Sequence, residues 1–392
     1  MNKALLHPQV QIFIRENLTK DLSTLILKGS PFPEVSIQEI AAQINGLQKA
    51  KKKLPTWFEA ANILFPPNIN LEQTSSEITA VYKASLVSGK NMIDLTGGFG
   101  IDSFFFAERF EKLIHCELDP DLSEIAAHNF KVLGRDNIIT FCGDGIEYLK
   151  ETNDNFDLIY LDPARRDDYG GKVFLLEQCT PNVAENLPLF FERADKVFIK
   201  TSPLLDLKAG IRDLEGVSTI HIVSVNNEVK ELLWELKKIP SDETVIKAVN
   251  FQKEKVVKFE AIYTGYFEEA PLSLPGTYLY EPNPAVMKSG MFAKVAYQTG
   301  TSKLHPNSHL FTSEEKKDFP GRSFKILETL PYSKKILKKH SGFQKANLTT
   351  RNFPKSVEEL RKELKIADGG ENYLFFTTNL KNEKIVLVCS KI

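Results

Sequence analysis

The hydrophobic pattern changes period twice along the chain. From residue 1 to about 75 the apolar residues recur at helical spacing. The stretch "VSIQEIAAQINGLQKAKKKLPTW" carries them at three- and four-residue intervals and closes on the lysine run Lys51–Lys53 before Pro55, which predicts an amphipathic helix and its end. The lysines read as a solvated helix end favoured by the macrodipole. "FPPNIN" then breaks the pattern.

From about 76 to 245 short apolar runs alternate with helical stretches. "NMIDL", "KLIHCEL", "NIITFCG", "FDLIYLD", "KVFIKTS" and "TIHIVSV" are the predicted strands, with helices such as "DLSEIAAHNFKVLG" between them. Near-continuous apolar runs belong to a parallel sheet covered on both faces. The βαβ rhythm predicts a doubly wound α/β sheet. "VIKAVNFQKEKVVKFEAIYTG" reads as a hairpin that closes the sheet with antiparallel edge strands. After residue 270 the Pro- and Gly-rich stretch "PLSLPGTYLYEPNPAVMKSG" leads into a small unit. The last seventy residues alternate strand, helix, strand, helix and a final hairpin.

Composition changes this picture little. The 392 residues suit several domains, and the 42% apolar and 26% charged content is that of a globular chain. A net charge of −1 means that any affinity for nucleic acid must come from a local patch. Cys116, Cys142, Cys179 and Cys389 are widely spaced, with no CxxC, so neither a zinc site nor a disulfide framework is expected. The N-terminus lacks the order of a signal peptide, and no apolar run approaches the roughly 20 residues that span a bilayer. The expected setting is the reducing cytoplasm, with no membrane and no metal.

Candidate chemistry begins where the first strand runs into Thr96-Gly97-Gly98-Phe99-Gly100. Glycine clusters where the backbone turns tightly or lets something come very close. A ligand at the carboxyl ends of the strands fits the second reason, and a tight turn with no ligand fits the first. Glu117 ends the second strand about 20 residues on, where an acid accepts the hydroxyls of a ribose. The loop is not G-x-G-x-x-G, which weakens a dinucleotide. Asp144, after the third strand, either meets an adenine edge or caps the helix "GIEYLKE". The fourth strand ends "LDPARR". There Pro163 fixes its own φ and biases Asp162 to an extended conformation. A carboxylate and a carbonyl in that position can accept the hydrogens of an amine and aim its lone pair, an arrangement suited to nitrogen methylation.

At this point the chain resembles the bacterial class I S-adenosylmethionine-dependent methyltransferases with a C-terminal THUMP-like domain. The resemblance rests on "LEQTSSEITAVYKA", "IDLTGGFGID", "LDPARR", "IKTSPLLD" and "YEPNPAVMKSG", and extends through "KLHPNSHLFTS" to the end. It implies an N-terminal helical region (1–75), a Rossmann-like methyltransferase core (76–268), a small ferredoxin-like α+β insert (278–320) and a THUMP-like α+β domain (321–392). It also implies S-adenosylmethionine as cofactor and RNA, either tRNA or rRNA, as partner. Carried onto these residues, Thr96, Gly97, Gly98 and Gly100 cradle the amino-acid part of the cofactor and Asp94 binds its amine. Glu117, with Leu118 beside it, holds the ribose, and Asp144 with Gly145 meets the adenine. Asp162, Pro163 and Arg165 border the methyl-transfer point. Ser75, Ser76 and Tyr82 are candidates to fold over the cofactor, and an imperfect capping box from Ser75 is the alternative.

Two departures limit this transfer. Amino-methyltransferases usually carry a second proline and then an aromatic after the acid, where this chain has Ala164 and Arg165. Arg165 and Arg166 either stack on a base or contact phosphate, or pair with Asp167 or Asp168. Covalent uracil-C5 chemistry needs a cysteine near "KTSP", Lys200 to Pro203, and none is there. Between Arg322 and Lys365 about twelve Lys/Arg face about four acids, a local footprint for RNA. Tyr332, Phe343 and Phe353 interleave with Lys334, Lys335, Lys338 and Lys339, either for bases or for a core. His305 and His309 are four apart, but Pro306 argues against a helix and hence against a metal pair. A non-catalytic RNA-binding or assembly factor on the same scaffold, and methylation of a protein or small molecule, are the remaining readings.

Overall fold

The computed structural model describes residues 1–66, 71, 74–165, 176–240, 242–253, 255–265, 269–339 and 344–392. The chain divides into two compact units, Met1–Ser218 with Leu232–Ser241, and Thr219–Glu231 with Asp242–Ile392.

The first unit begins with helices α1 (Pro8–Glu16), α2 (Leu22–Lys28), α3 (Ile37–Lys53) and α4 (Pro55–Glu59). Helix α3 buries Ile37, Ile40, Ile44 and Leu47, the stripe that the sequence spacing predicts. Ser36 and Glu39 close a capping box at its start. Pro55 lacks an amide hydrogen and is accommodated only at the first turn of α4.

Helix α5 (Glu77–Ser85) leads into strand β1 (Gly89–Asp94). There follow α6 (Ile101–Phe106), β2 (Phe110–Glu117), α7 (Pro120–Val132), β3 (Ile138–Cys142), α8 (Gly145–Glu151) and β4 (Leu158–Leu161). Two short strands, β5 (Ala164–Arg165) and β6 (Cys179–Thr180), pair antiparallel. The unit continues with α9 (Val183–Arg193), β7 (Lys196–Thr201) and α10 (Leu207–Asp213). Strands β3-β2-β1-β4-β7 are hydrogen-bonded in that order and all run parallel. The second half of β9 (Glu228–Lys237) pairs antiparallel to β7, from Lys196 opposite Lys237 to Thr201 opposite Leu232. Met92, Ile93, Leu158, Ile159, Val197, Phe198 and Ile199 have no exposed surface. That complete burial is the reason these strands read as unbroken apolar runs rather than alternations. After β3 the chain crosses to the other side of β1 to form β4. This reversal opens a crevice at the carboxyl ends of β1 and β4.

The second unit holds most of β8 (Val217–Val225), with β10 (Thr244–Phe251) parallel to it and β11 (Val256–Tyr263) antiparallel to β10. The expected hairpin is therefore β10–β11. A seven-stranded sheet follows in the order β13-β14-β12-β15-β18-β17-β16. Its strands are β12 (Tyr278–Pro282), β13 (Ser302–Lys303), β14 (Phe311–Ser313), β15 (Gly321–Pro331), β16 (Asn347–Arg351), β17 (Asn372–Thr378) and β18 (Lys384–Lys391). Helices α11 (Pro284–Ser289) and α12 (Phe292–Thr299) lie between β12 and β13, and α13 (Lys334–Lys339) and α14 (Val357–Leu364) flank β16 in sequence. The strand–helix–strand–helix–hairpin order expected for the last seventy residues is the order found. No described helix is long and apolar enough to cross a membrane.

Candidate functional site

The glycine loop leaves β1 through two sheet-like bonds. Leu95 donates its N–H to the Tyr160 carbonyl at 2.9 Å and Gly97 to the Cys116 carbonyl at 2.7 Å. The glycines serve different ends. A Cβ on Gly97 would stand 2.1 Å from Cε1 of His115, and one on Gly100 would stand 2.3 Å from Cζ of Phe130. Both are demanded by packing against the protein itself. Gly145 is similar, since its Cβ would meet the Leu95 carbonyl oxygen at 2.7 Å. Gly98 differs. It has a left-handed φ of 57°, and the nearest heavy atom to an added Cβ is 3.9 Å away. Left-handed backbone thus applies to Gly98 and to Gly100, whose φ is 84°, and close packing to Gly97 and Gly100.

A cavity of about 250 Å³ opens above this loop. Of the residues singled out in the sequence, Asp94, Thr96, Gly97, Gly98, Gly100 and Asp162 border it, together with Ser75, Asp102 and Tyr160. Pro163, Glu117, Leu118, Asp144 and Gly145 are not part of its wall. Glu117 is tied to its rim, accepting the Gly98 and Asp119 amides at 2.8 Å each. Leu118 is 64% exposed. Asp144 caps α8 by accepting the Ile146 N–H at 2.7 Å, so the structural role expected of it is present. The side chain of Arg165 and the whole of Arg166, Asp167 and Asp168 lie outside what the structure describes.

Three carboxylates reach the cavity, and their surroundings differ. Asp162 is ion-paired with Lys200 of β7, and its backbone N–H donates to Thr96 Oγ1 at 2.6 Å. Asp102 pairs with Lys83 at 3.2 Å and accepts from Tyr160 Oη at 2.7 Å and Ser75 Oγ at 2.8 Å. Burial raises the Asp102 pKa, but the charges of Lys83 and Lys200 and these two hydroxyl donors outweigh it and hold the carboxyl below its ordinary range.

Asp94 is only 1% exposed. It accepts from Ser103 Oγ at 2.6 Å and the Thr96 amide at 3.1 Å, and no cation pairs with it among the described residues. Burial lifts its pKa to about 7 against those two donors, and the charges of Asp102 and Asp162 add to the rise. Register explains the grouping, since Asp94 stands opposite His115 on β2 and Tyr160 on β4. Behind Asp94, Ser103 lies 3.0 Å from His115 Nδ1, and burial pulls that imidazole down to about 4.

Sequence reading missed Lys83, Asp102, Ser103, His115, Tyr160 and Lys200. Lys83 lies in the last turn of α5, where a lysine ordinarily reaches solvent, and nothing local marks it as buried. Ser76 caps α5 in a box with Thr79, one residue later than the pattern suggested. Ser75 is thereby left to face Asp102 and the cavity, whereas Ser76 and Tyr82 do not border it. Cys179 is buried within β6.

In the C-terminal region Tyr332 and Phe353 pack edge-to-face at 5.0 Å and both pack against Phe376. These aromatics belong to the core, while Lys334 and Lys335 are exposed. Phe343 and the side chains of Lys338 and Lys339 lie outside the described residues. His305 contacts Asn352 and Asn382, His309 stacks on Phe292, and no metal-holding cluster occurs among the described residues.

The strand order, with its one antiparallel strand beside β7 and its site above β1 and β4, defines a Rossmann-like methyltransferase fold. A crystal structure of a candidate methyltransferase from Porphyromonas gingivalis W83 is 32% identical, covers 99% of this chain and 98% of its own, and superposes with a TM-score of 0.89. Residues 278–320 match a ferredoxin-like domain family and residues 321–391 a THUMP domain-like family. The chain belongs to the family of that Porphyromonas protein, methyltransferase-type chains that carry a ferredoxin-like and a C-terminal THUMP-like domain. Two partial matches are an rRNA methylase from Streptococcus thermophilus (16% identity, 42% of this chain, 98% of that one, TM-score 0.31) and TrmK of M. capricolum with S-adenosyl-homocysteine (12%, 47%, 72%, 0.33). No curated protein matches the chain.

Proposed function

We propose that this chain is an S-adenosylmethionine-dependent methyltransferase that modifies a base nitrogen of RNA in the cytoplasm. The observation that carries the reading is Asp94, a buried carboxylate at the cavity wall with hydroxyl and amide donors but no cation among the described residues. An unpaired buried carboxylate is costly, and the ammonium of an amino-acid moiety would complete it. The rest of the wall fits the same ligand. Gly98 leaves open space for close approach, and Glu117 stands at the rim where a ribose would lie. Asp144 is one strand further on, on the side where an adenine would extend if Glu117 held the ribose.

When bound, the cofactor supplies a methyl group on a positively charged sulfur. The chain's own part is positioning, which dominates in-line displacement. Thr96 and Lys200 hold Asp162 from two sides. Lys200 engages Oδ2 and leaves Oδ1 to accept a hydrogen bond from the amine of an extruded base. Pro163 keeps the adjoining backbone extended. The RNA reading draws on the exposed Lys334 and Lys335 and on the THUMP-like domain.

The test is nucleoside mass spectrometry of RNA from a deletion strain and its parent. One methylated nucleoside should be missing, and an Asp162→Ala gene should not restore it. An unchanged set of methylated nucleosides would rule out the RNA assignment.

A further inference from the structure

Two distinctive stretches, "YEPNP" and "KLHPNSHL", take no part in the cavity above β1. They meet in the second unit beside Arg351 and Asn352. Glu281 of β12 is 4% exposed and receives Arg322 Nε at 2.8 Å and Arg351 Nη2 at 2.9 Å. One carboxylate therefore faces two guanidinium groups. Lys303 of β13 is 5% exposed, and no carboxylate pairs with it among the described residues. Its ammonium lies 4.9 Å from the centre of the Phe292 ring, donates to the Pro306 carbonyl and stands 3.4 Å from Nδ1 of His309.

This group carries more positive than negative charge in a half-buried setting, which is costly without an anion. The costs are visible in the neighbours. Burial lowers the Lys303 amine to about 8, and burial together with the charges of Lys303 and Arg351 lowers His309 to about 4. The buried Nε of Arg351 has no hydrogen-bond partner. Three non-glycine residues around the group hold left-handed backbone, His309 at φ 52°, Asn352 at 51° and Asn382 at 64°. His305 ties the last two together, contacting Asn352 Nδ2 at 3.0 Å and Asn382 Oδ1 at 3.1 Å.

We propose that Lys303, His309 and Arg351 form a binding site for a phosphate group, which, resting on the RNA reading above, is a phosphodiester of the substrate backbone. The donors suit the task. Neutral His309 with Nδ1 turned to Lys303 keeps its proton on Nε2, ready to donate. Arg351 offers the planar fork that phosphate oxygens match, and Lys303 adds a point charge. The ferredoxin-like segment would thus bind RNA alongside the exposed lysines of α13, rather than act only as a spacer.

The experiment compares full-length wild type, Lys303→Met and Arg351→Lys. Each is titrated calorimetrically with inorganic phosphate and by fluorescence anisotropy with a fluorescein-labelled single-stranded RNA at several salt concentrations. Wild type should bind phosphate, and Lys303→Met should bind it about tenfold more weakly, the scale of one charge-assisted contact. Its slope of log affinity against log salt on RNA should fall by about one. Lys303→Met should melt no lower than wild type, because it removes an unpaired buried charge. Arg351→Lys keeps the charge but loses the fork, so it should weaken phosphate binding while leaving the salt slope near that of wild type. Absence of phosphate binding to wild type, or unchanged phosphate binding in both variants, overturns the site. Phosphate binding that depends on Lys303 in a protein indifferent to RNA supports the site and refutes the RNA reading. Lost phosphate binding with unchanged RNA affinity overturns the backbone phosphodiester as its source.

Discussion

The ammonium of Lys83 lies 3.2 Å from Oδ1 of Asp102, with no part of the lysine side chain exposed. The contact is an ion pair without hydrogen-bond alignment, since Oδ1 has no hydrogen-bond partner. The lysine instead donates to Ser75 Oγ at 2.9 Å, and Ser75 donates to Oδ2 of Asp102. Helix α5 is thereby fastened to the helix that follows the glycine loop.

Removing one partner of such a pair strands the other. Lys83→Met should lower the unfolding free energy by about 3–5 kcal/mol, read from urea unfolding curves. Lys83→Met combined with Asp102→Asn should recover most of that loss. A single variant as stable as wild type would show that the pair does not hold α5 in place.

The glycines should respond unequally. Gly97→Ala pushes a methyl into the fully buried His115, and overpacking of this kind costs about 1–3 kcal/mol. Gly98→Ala meets open space and costs about 1–2 kcal/mol through its left-handed backbone alone. The added methyl should nevertheless weaken nucleoside binding, because Gly98 borders the cavity. Thermal melts and a cofactor titration on the two variants separate the effects.

Asp94 gives the chain a pH signature. The folded chain keeps this proton up to about pH 7, whereas an unfolded chain releases it near 3.8. The folded state therefore binds more protons between these values. The group's contribution to stability is complete below about pH 4 and is lost as pH rises through about 7. Asp94→Asn cannot titrate, so urea unfolding from pH 4 to 7 should show a less negative slope of stability against pH in the variant. Equal slopes would mean that Asp94 is already ionised in the folded chain.

Strands and loops were legible in the sequence wherever burial was uniform. The runs of β1, β2, β4 and β7 announce themselves because both faces are covered. Strand β9 did not, because it opens on Glu228, Val229, Lys230 and Glu231, and Glu235 and Lys237 interrupt its far end. Charges on both sides hid the apolar run Leu232–Trp234 between them.

The site was legible in part, for a related reason. Asp94, Thr96, Gly98 and Asp162 sit at strand ends and in the loops that follow, where sequence motifs are contiguous. Lys83, Asp102, His115 and Lys200 come from four separate elements, and their meeting depends on strand register, such as Asp94 opposite both His115 and Tyr160. No spacing along the chain encodes that register.

Lys200 offers a test of the reactive end. Lys200→Met frees Asp162 from its partner and removes one of the two cations that act on Asp102, leaving the side chain of Asp94 and the Gly98 loop in place. Cofactor titration should stay close to that of wild type, while the methylated nucleoside restored by the variant gene should fall well below the wild-type level. Full restoration would show that the orientation of Asp162 does not depend on Lys200.

The most direct measurement is calorimetric titration of the full chain with S-adenosylmethionine and with S-adenosyl-homocysteine at about pH 8, above the Asp94 pKa, for wild type and Asp94→Asn. Wild type should bind both ligands at one site, and Asp94→Asn should bind them at least about tenfold more weakly, the scale of one lost charge-assisted contact. No heat with either ligand, or equal affinity in the two proteins, would contradict the cavity above Gly98 as a cofactor site completed at Asp94.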